Sequence, residues 1–361
     1  MAEILKFYEG KKVLVTGHSG FKGSWLTLFL HQLGANVKGI SLAPKTSEDF
    51  FVVNHLEDIC DSPFFDISNF KLVDENIAAF QPDIIFHLAA QPLVRYSYIN
   101  PLETYQTNVM GTANILESLK HIHSKCAVVV ITTDKVYQNK EWHHPYRESD
   151  RLGGRDPYSA SKACSEILVS SFRDSFFHPD KFEDHQKAIA TARAGNVIGG
   201  GDWSDDRLIP DIVKAIRNDA EIIIRNPQSI RPWQHVLEPL FGYLALGARL
   251  YDNPIKFSGE WNFGPYPDEV LCVEEVVKTA IDILGKGNYR IEKNENDPHE
   301  ATLLKLDISK VINILNWKPQ LKTTEAIKWT LNWYSELLKN RHTIIDYSKK
   351  SIHDYIKLIQ Q

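Results

Sequence analysis

Four short runs of aliphatic and β-branched residues punctuate the first half of the chain: "KVLVTG" from Lys12, "NVKGIS" from Asn36, "DIIFHLAA" from Asp83 and "AVVVITT" from Ala127. Between them the apolar positions fall at helical spacing. "GSWLTLFLHQLG" is a mostly apolar helix ended by Gly34, and "TANILESLKHI" sets Ile115, Leu119 and Ile122 on one stripe. Continuous apolar strands alternating with helices are what a parallel sheet covered on both faces requires. The pattern predicts an α/β fold built on a doubly wound parallel sheet. Towards the C-terminus, "TTEAIKWTLNWYSELL" places Ile327, Leu331, Tyr334 and Leu338 on one face behind a Thr cap, the pattern of a packing helix.

From about Gly199 the texture changes to "GGGDWSDDRLIPD", a Gly- and Asp-rich loop followed by mixed short elements. A second region is therefore expected to begin there. Residues 1–198 form the sheet domain, with segments at about 230–265 returning to it, and residues 199–361 form mainly a second, smaller region.

Composition narrows the function. With 361 residues, 43% of them hydrophobic, the chain can bury an ordinary core. Its net charge of −5 comes from interspersed charges, so it offers no basic field for nucleic acid, which is excluded as a partner. Cys60, Cys126, Cys164 and Cys272 are far apart and lack CxxC spacing, which argues against a metal site and a disulfide framework and fits a reducing compartment. The N-terminal stretch has no long apolar core after a basic start, and no later run reaches the roughly 18 apolar residues of a membrane span. A soluble, cytoplasmic protein with no membrane partner is expected.

The first βα turn, "VTGHSGFKGSWL", holds Gly17, Gly20 and Gly23 at GxxGxxG spacing. Glycines there permit a tight turn and close approach of a pyrophosphate to backbone N–H groups at a helix N-terminus. The loop points to dinucleotide binding in a Rossmann-type sheet, leaving the smaller C-terminal region to bind substrate. The acid that would hold the ribose of NAD is missing, because the second strand ends in Ser41, so this test leaves NAD against NADP open. Asp66, in "FFDIS", is placed either to reach the adenine edge or to cap a helix.

"DPYSASKACSEIL" puts Tyr158 and Lys162 four apart at the start of an amphipathic helix, on one face. That arrangement suits a phenol whose pKa is lowered by a neighbouring ammonium. Thr133 follows an apolar strand and is expected at the carboxyl edge of the sheet, where ligands of open α/β folds bind. Beside it, Asp134 and Lys135 read either as an acid–base pair or as a solvated turn.

Taken together, "TGHSGFKG", "HLAAQPLVRYS", "TTDKVY" and "YSASK" resemble the extended short-chain dehydrogenase/reductase superfamily and, within it, the nucleotide-sugar 4,6-dehydratases. "TNVMGTANILE", "RAGNVIGGGDW", "RLIPD" and "RPWQHV" match in the same order, so the resemblance covers nearly the whole chain. It implies a tightly bound NAD, recycled within each catalytic cycle. The loop residues Gly17, Gly20, Phe21 and Gly23 would hold it, with Asp66 and Ile67, then Leu88, Ala89 and Ala90 of "HLAA", then Tyr158 and Lys162.

The resemblance also assigns chemistry. Tyr158 is implied as the base on a sugar 4-hydroxyl, Lys162 as the group holding the nicotinamide ribose, and Thr133 as the group aligning the substrate. Asp134 and Lys135 stand where the family keeps the pair that protonates the hydroxyl leaving carbon 6 and removes the proton at carbon 5. An Asp-Lys pair, in place of Asp-Glu, is similar to the cytidine diphosphate-glucose branch. Asn196, Arg207 and Arg231 are the better candidates for the nucleotide sugar, because arginine makes paired hydrogen bonds to a diphosphate. Arg95 and Tyr98 read either as lining the sugar pocket or as structural, Arg193 reads as a surface or interface residue rather than a ligand, and His235 reads equally as a packed core histidine or a nucleotide contact. The family's habit of pairing through two long helices, here those following Thr107 and Tyr158, implies a homodimer or homotetramer. The alternatives are a dehydratase or 4-epimerase acting on another nucleotide sugar (dTDP-, UDP- or GDP-hexose), or a non-catalytic dinucleotide-binding protein.

Overall fold

A computed structural model describes residues 2–292 and 303–361. Six strands, β1 (Lys12–Thr16), β2 (Asn36–Ile40), β3 (Ile84–His87), β4 (Cys126–Thr132), β5 (Lys187–Ala194) and β6 (Gly259–Phe263), form one sheet in the order β6-β5-β4-β3-β1-β2. Every pairing in it is parallel. The first four strands fall on the four apolar runs. Their hydrophobicity is continuous because both faces are covered: all seven residues of β4 are buried, as are all eight of β5.

Side chains alternate between two cores, as the period of a strand demands. Val13, Val15, Phe86, Val129 and Ile131 pack on one face with Trp25, Leu26 and Phe29 of α1 (Phe21–Gln32). On the other face Leu14, Ile85, Val128 and Val130 meet Val73 and Ile77 of α2 (Phe70–Phe80), Ile115 and Leu116 of α3 (Gly111–Ser118) and Val169 of α4 (Pro157–Phe176). The stripe predicted around α3 is buried as expected, although the α-helix stops at Ser118 and a 3₁₀ turn carries the chain to Ile122.

Chain order places the ligand crevice. From β1 the chain crosses to β2 on one side, and β3 returns on the other, so the strand order reverses between β1 and β3. Crevices in open α/β sheets lie at the carboxyl ends of such a pair. Isolated parallel bridges, Lys38 to Asp61 and Ser41 to Phe64, carry the chain past the edge of β2 and deliver Asp66 and Ile67 to the same end of the sheet.

The later chain supplies α5 (Leu208–Arg217) and α6 (Leu237–Asp252), the latter packed on the sheet before β6 joins it, and then α7 (Thr323–Lys339) and α8 (Ile344–Gln360). Two features of α7 differ from expectation. Its cap position is Lys322, whose backbone N–H donates to Glu325 at 3.0 Å, and Thr323 is the first helical residue. Ile327, Leu331 and Tyr334 are buried, but Leu338 is 55% exposed and Leu337 takes the inner position.

Candidate active site

A cavity of about 1510 Å³ opens over the carboxyl ends of β1, β3, β4 and β5. That exceeds the roughly 300–1,000 Å³ of a pocket for one small ligand, and leaves room for two. Glycines shape its floor. Gly17 has a φ of +75°, and a β-carbon on it would lie 2.7 Å from the Ala89 N. One on Gly23 would lie 2.0 Å from the Gly17 O. The loop therefore closes on β3 and on α1 only with glycine at both places. Gly20 caps α1 without a side chain, so the first-turn N–H groups are left for an anion. This cradle fits the diphosphate of a dinucleotide.

At the end of β2, Ser41 Oγ lies 2.7 Å from Ser19 Oγ and 3.1 Å from His18 Nδ1. The His18 ring stacks on Phe64 at 5.7 Å, and burial pushes its pKa down to about 4. A neutral hydroxyl and imidazole cluster thus occupies the place where an acid was sought. Asp66 is not a helix cap: its Oδ1 accepts from the Ser68 N–H at 2.7 Å, and Asn69 caps α2.

Beyond the loop, β4 ends in the acid–base cluster. Thr133 caps a 3₁₀ turn of Asp134–Val136, and its hydroxyl donates to Asp134 Oδ1 at 2.9 Å. Asp134 is buried, with Oδ2 lacking a hydrogen-bond partner among the described residues. A buried carboxylate oxygen without a partner is a group that calls for a proton or a donor. "TTDKVY" is therefore not a solvated turn, although Lys135 is only partly covered.

Helix α4 brings Tyr158 and Lys162 to the same wall. Its start is fixed by Asp156, which accepts from the Ser159 N–H at 2.9 Å, and by Ser97, whose hydroxyl accepts from the Tyr158 N–H at 3.1 Å. The Thr133 hydroxyl lies near the Tyr158 phenol and pulls its pKa down. The expected lowering of the phenol by Lys162 is absent. Burial pushes Tyr158 up to about 12 against the pull of Thr133 and Arg207, while the Lys162 ammonium donates to the Ile131 carbonyl at 3.2 Å. Desolvation, which disfavours either charged form, also holds Lys162 down at about 8.

The candidate residues of the sequence, Gly17, Gly20, Phe21, Gly23, Asp66, Ile67, Leu88, Ala89, Ala90, Arg95, Thr133, Asp134, Lys135, Tyr158, Lys162, Asn196, Arg207 and Arg231, all line this one cavity. Arg207 stands on the cap of α5, paired with Asp202 at 2.8 Å and near enough to Tyr158 to pull its pKa down. Arg95 pairs with Asp206 at 3.5 Å. Asn196 has a φ of +47° and its carbonyl accepts from the Gln234 N–H. Three residues lie elsewhere. Arg193 is buried in an ion pair with Glu166 at 2.9 Å, His235 is wedged between Trp25 and Trp329, and Tyr98 is exposed. Lys22 was missed. Its signal was a cation in the first turn of an otherwise apolar helix, where the macrodipole disfavours one.

Residues 14–246 match the profile of the family described as GDP-mannose 4,6 dehydratase. The chain is 49% identical over 350 residues to a CDP-glucose 4,6-dehydratase of Salmonella typhimurium, covering 97% of each. Among solved structures, a UDP-glucose 4-epimerase from Stenotrophomonas maltophila with bound NAD superposes with a TM-score of 0.79 at 20% identity, over 91% of this chain and 99% of that one. A dTDP-glucose 4,6-dehydratase from Bacillus anthracis in complex with NAD gives 0.74 at 21% identity, over 91% and 98%. These two share the fold.

Proposed function

Because the chain belongs to the family described as GDP-mannose 4,6 dehydratase, we propose that it is an NAD-dependent hydro-lyase that converts CDP-D-glucose to CDP-4-dehydro-6-deoxy-D-glucose. One observation carries the reaction class: Asp134 and Lys135 line the same cavity as Tyr158 and Lys162. A 4-epimerase has no elimination to perform and no use for the second pair. A non-catalytic binder has no use for either. The likeness to the Salmonella enzyme along nearly the whole chain supports the cytidine nucleotide.

The order of steps follows from acidity. The hydrogen on carbon 5 of a hexose is not acidic until carbon 4 is a ketone, whose neighbouring anion is delocalised as an enolate. Bound NAD would supply the hydride acceptor at carbon 4 and the hydride donor at carbon 6. The glycine cradle, Phe21, Asp66, Ile67 and the Leu88–Ala90 segment would hold it. Tyr158 takes the proton of the 4-hydroxyl, with Thr133 aligning the sugar and Arg207 opposing the burial that keeps the phenol protonated. Lys135 takes the proton from carbon 5. Asp134 delivers one to the oxygen leaving carbon 6. Arg95, Asn196, Arg207 and Arg231 hold the nucleotide sugar, the guanidinium forks meeting the diphosphate.

In this reading residues 1–198, with the return at about 230–265, hold the cofactor, and the remainder mainly binds substrate. Exposed Leu102 and Met110 on the helical run leading into α3, and Ile167 on α4, support self-association into a dimer or tetramer. Among the described residues no helix is long and apolar enough to cross a membrane, and the cytoplasm is the proposed location.

The test is to incubate the purified protein, without added oxidant, with cytidine, deoxythymidine, uridine and guanosine diphosphate glucose. Loss of one water from the cytidine sugar, read by mass spectrometry, is expected. Inversion at carbon 4 without mass loss would replace the dehydratase by an epimerase.

A further inference from the structure

Lys22 lines the catalytic cavity, yet neither the proton transfers nor the sugar contacts proposed above use it. It occupies the first turn of α1, next to Gly23 and three residues before the buried Trp25. A lysine in a phosphate loop is ordinarily explained as a phosphate ligand. Its position argues for something else. The side chain runs to α6, where Nζ donates to the hydroxyl of Tyr243 at 3.2 Å and lies 5.4 Å from the centre of that ring. Tyr243 is fully buried, and its phenol is pushed up by burial first and then by the nearby Tyr158. The ammonium is therefore anchored on a phenol near the base of the reaction.

Its electrostatic neighbours are Lys162, Arg207 and Asp134, two cations to one acid, and its hydrogen-bond partner is a neutral phenol. Burial first, and then Lys162 and Arg207, push Lys22 down to about 7, so this part of the cavity already disfavours additional positive charge. The oxidised nicotinamide ring carries a positive charge and the reduced ring carries none. Lys162 is the residue assigned to the nicotinamide ribose, so a cation coupled to Lys162 acts where those two forms differ.

We propose that Lys22 discriminates between the two charge states of the cofactor, weakening the hold on the oxidised nicotinamide relative to the reduced one. The inference rests on the reading of this cavity as the NAD site. It gives the residue a purpose in a cycle that borrows and returns one hydride: escape of the cofactor while reduced would strand a ketone, whereas escape while oxidised costs nothing.

The experiment is calorimetric titration of the full chain with NAD and with NADH, for the unaltered protein and for Lys22→Met, Lys22→Gln and Lys22→Arg. Removing the charge should lower the ratio of the NAD to the NADH dissociation constant on the order of tenfold, the effect of one charge about 12 Å away at an effective dielectric of about 20. Lys22→Arg should keep the ratio. If both constants rise by the same factor in the neutral variants, Lys22 is a diphosphate ligand and the proposal fails. An unchanged pair of constants also overturns it. Failure of the unaltered protein to bind either form would instead remove the cofactor site itself. Two neutral side chains of different polarity guard against one variant failing to fold.

Discussion

Asp134 holds its place only because residue 195 is glycine: a β-carbon there would lie 2.0 Å from Asp134 Oδ2. Gly195 follows β5 and Asp134 follows β4, so two adjacent strands shape the position of one carboxyl oxygen, which the described residues leave without a partner. Gly195→Ala should displace the carboxylate, and Asp134→Asn should remove its proton. Both should lower formation of the dehydrated sugar by about 10²–10⁴-fold, the usual worth of a general acid. Cofactor affinity should change little in either. A Gly195→Ala enzyme with normal turnover would separate Asp134 from the protonation at carbon 6.

Tyr158 and Lys135 act at different steps, so their variants should stop the reaction at different points. Tyr158→Phe removes the only phenolic proton acceptor assigned to the 4-hydroxyl, and no absorbance of reduced cofactor should develop on mixing with the nucleotide sugar. Lys135→Met should let that absorbance develop and then persist, because the ketone forms but water is not lost. Solvent deuterium should fail to enter carbon 5 in this variant. Normal exchange there would move the base to another residue.

Lys162 makes a stability prediction whose sign depends on pH. Burial holds its ammonium down at about 8, below the roughly 10.4 of an unfolded lysine. Between those values the unfolded chain binds the extra proton, so stability rises with pH across the window, and below it the full cost of the buried charge is present. Lys162→Met should therefore be inactive yet more stable at pH 7. The gain is roughly 1–2 kcal/mol once the lost bond to the Ile131 carbonyl is deducted. The difference in melting temperature should shrink from pH 8 towards pH 10. A difference that is flat across this range would mean that Lys162 titrates as an ordinary lysine.

The legible parts of the molecule are those whose cause is local. Strands β1 to β4 announce themselves because their burial is met by apolar side chains in sequence, and the phosphate loop because three glycines at fixed spacing do one job. β5, "KAIATARA", gave no comparable signal. It carries Lys187 and Arg193 in a fully buried strand, and Arg193 is tolerable only beside Glu166, which lies 27 positions away on α4. The dependence of Asp134 on Gly195, and the reach of Lys22 to Tyr243, 221 positions on, are likewise properties of the assembled fold. The expected lowering of Tyr158 failed for a related reason: spacing along a helix says that two groups are close, but not how much water burial removes.

Glu166 ties the catalytic helix to the sheet. Its carboxylate accepts from Arg193 Nη2 at 2.9 Å and Nε at 3.0 Å, from Thr191 Oγ1 at 2.8 Å, and from Thr132 Oγ1. Arg193 in turn donates to Tyr137 at 2.8 Å. Glu166 is four residues beyond Lys162 and eight beyond Tyr158, so it sets how α4 presents both to the cavity. Removing one member of a buried ion pair leaves the other charge uncompensated, at a cost of about 3–5 kcal/mol. Glu166→Ala should lose about that much by denaturant titration. Arg193→Met combined with Glu166→Leu, which removes both charges and keeps the volume, should recover most of it. Recovery of stability without recovery of kcat would show that the pair orients α4 as well as holding it, whereas recovery of both would make the pair a structural tie alone.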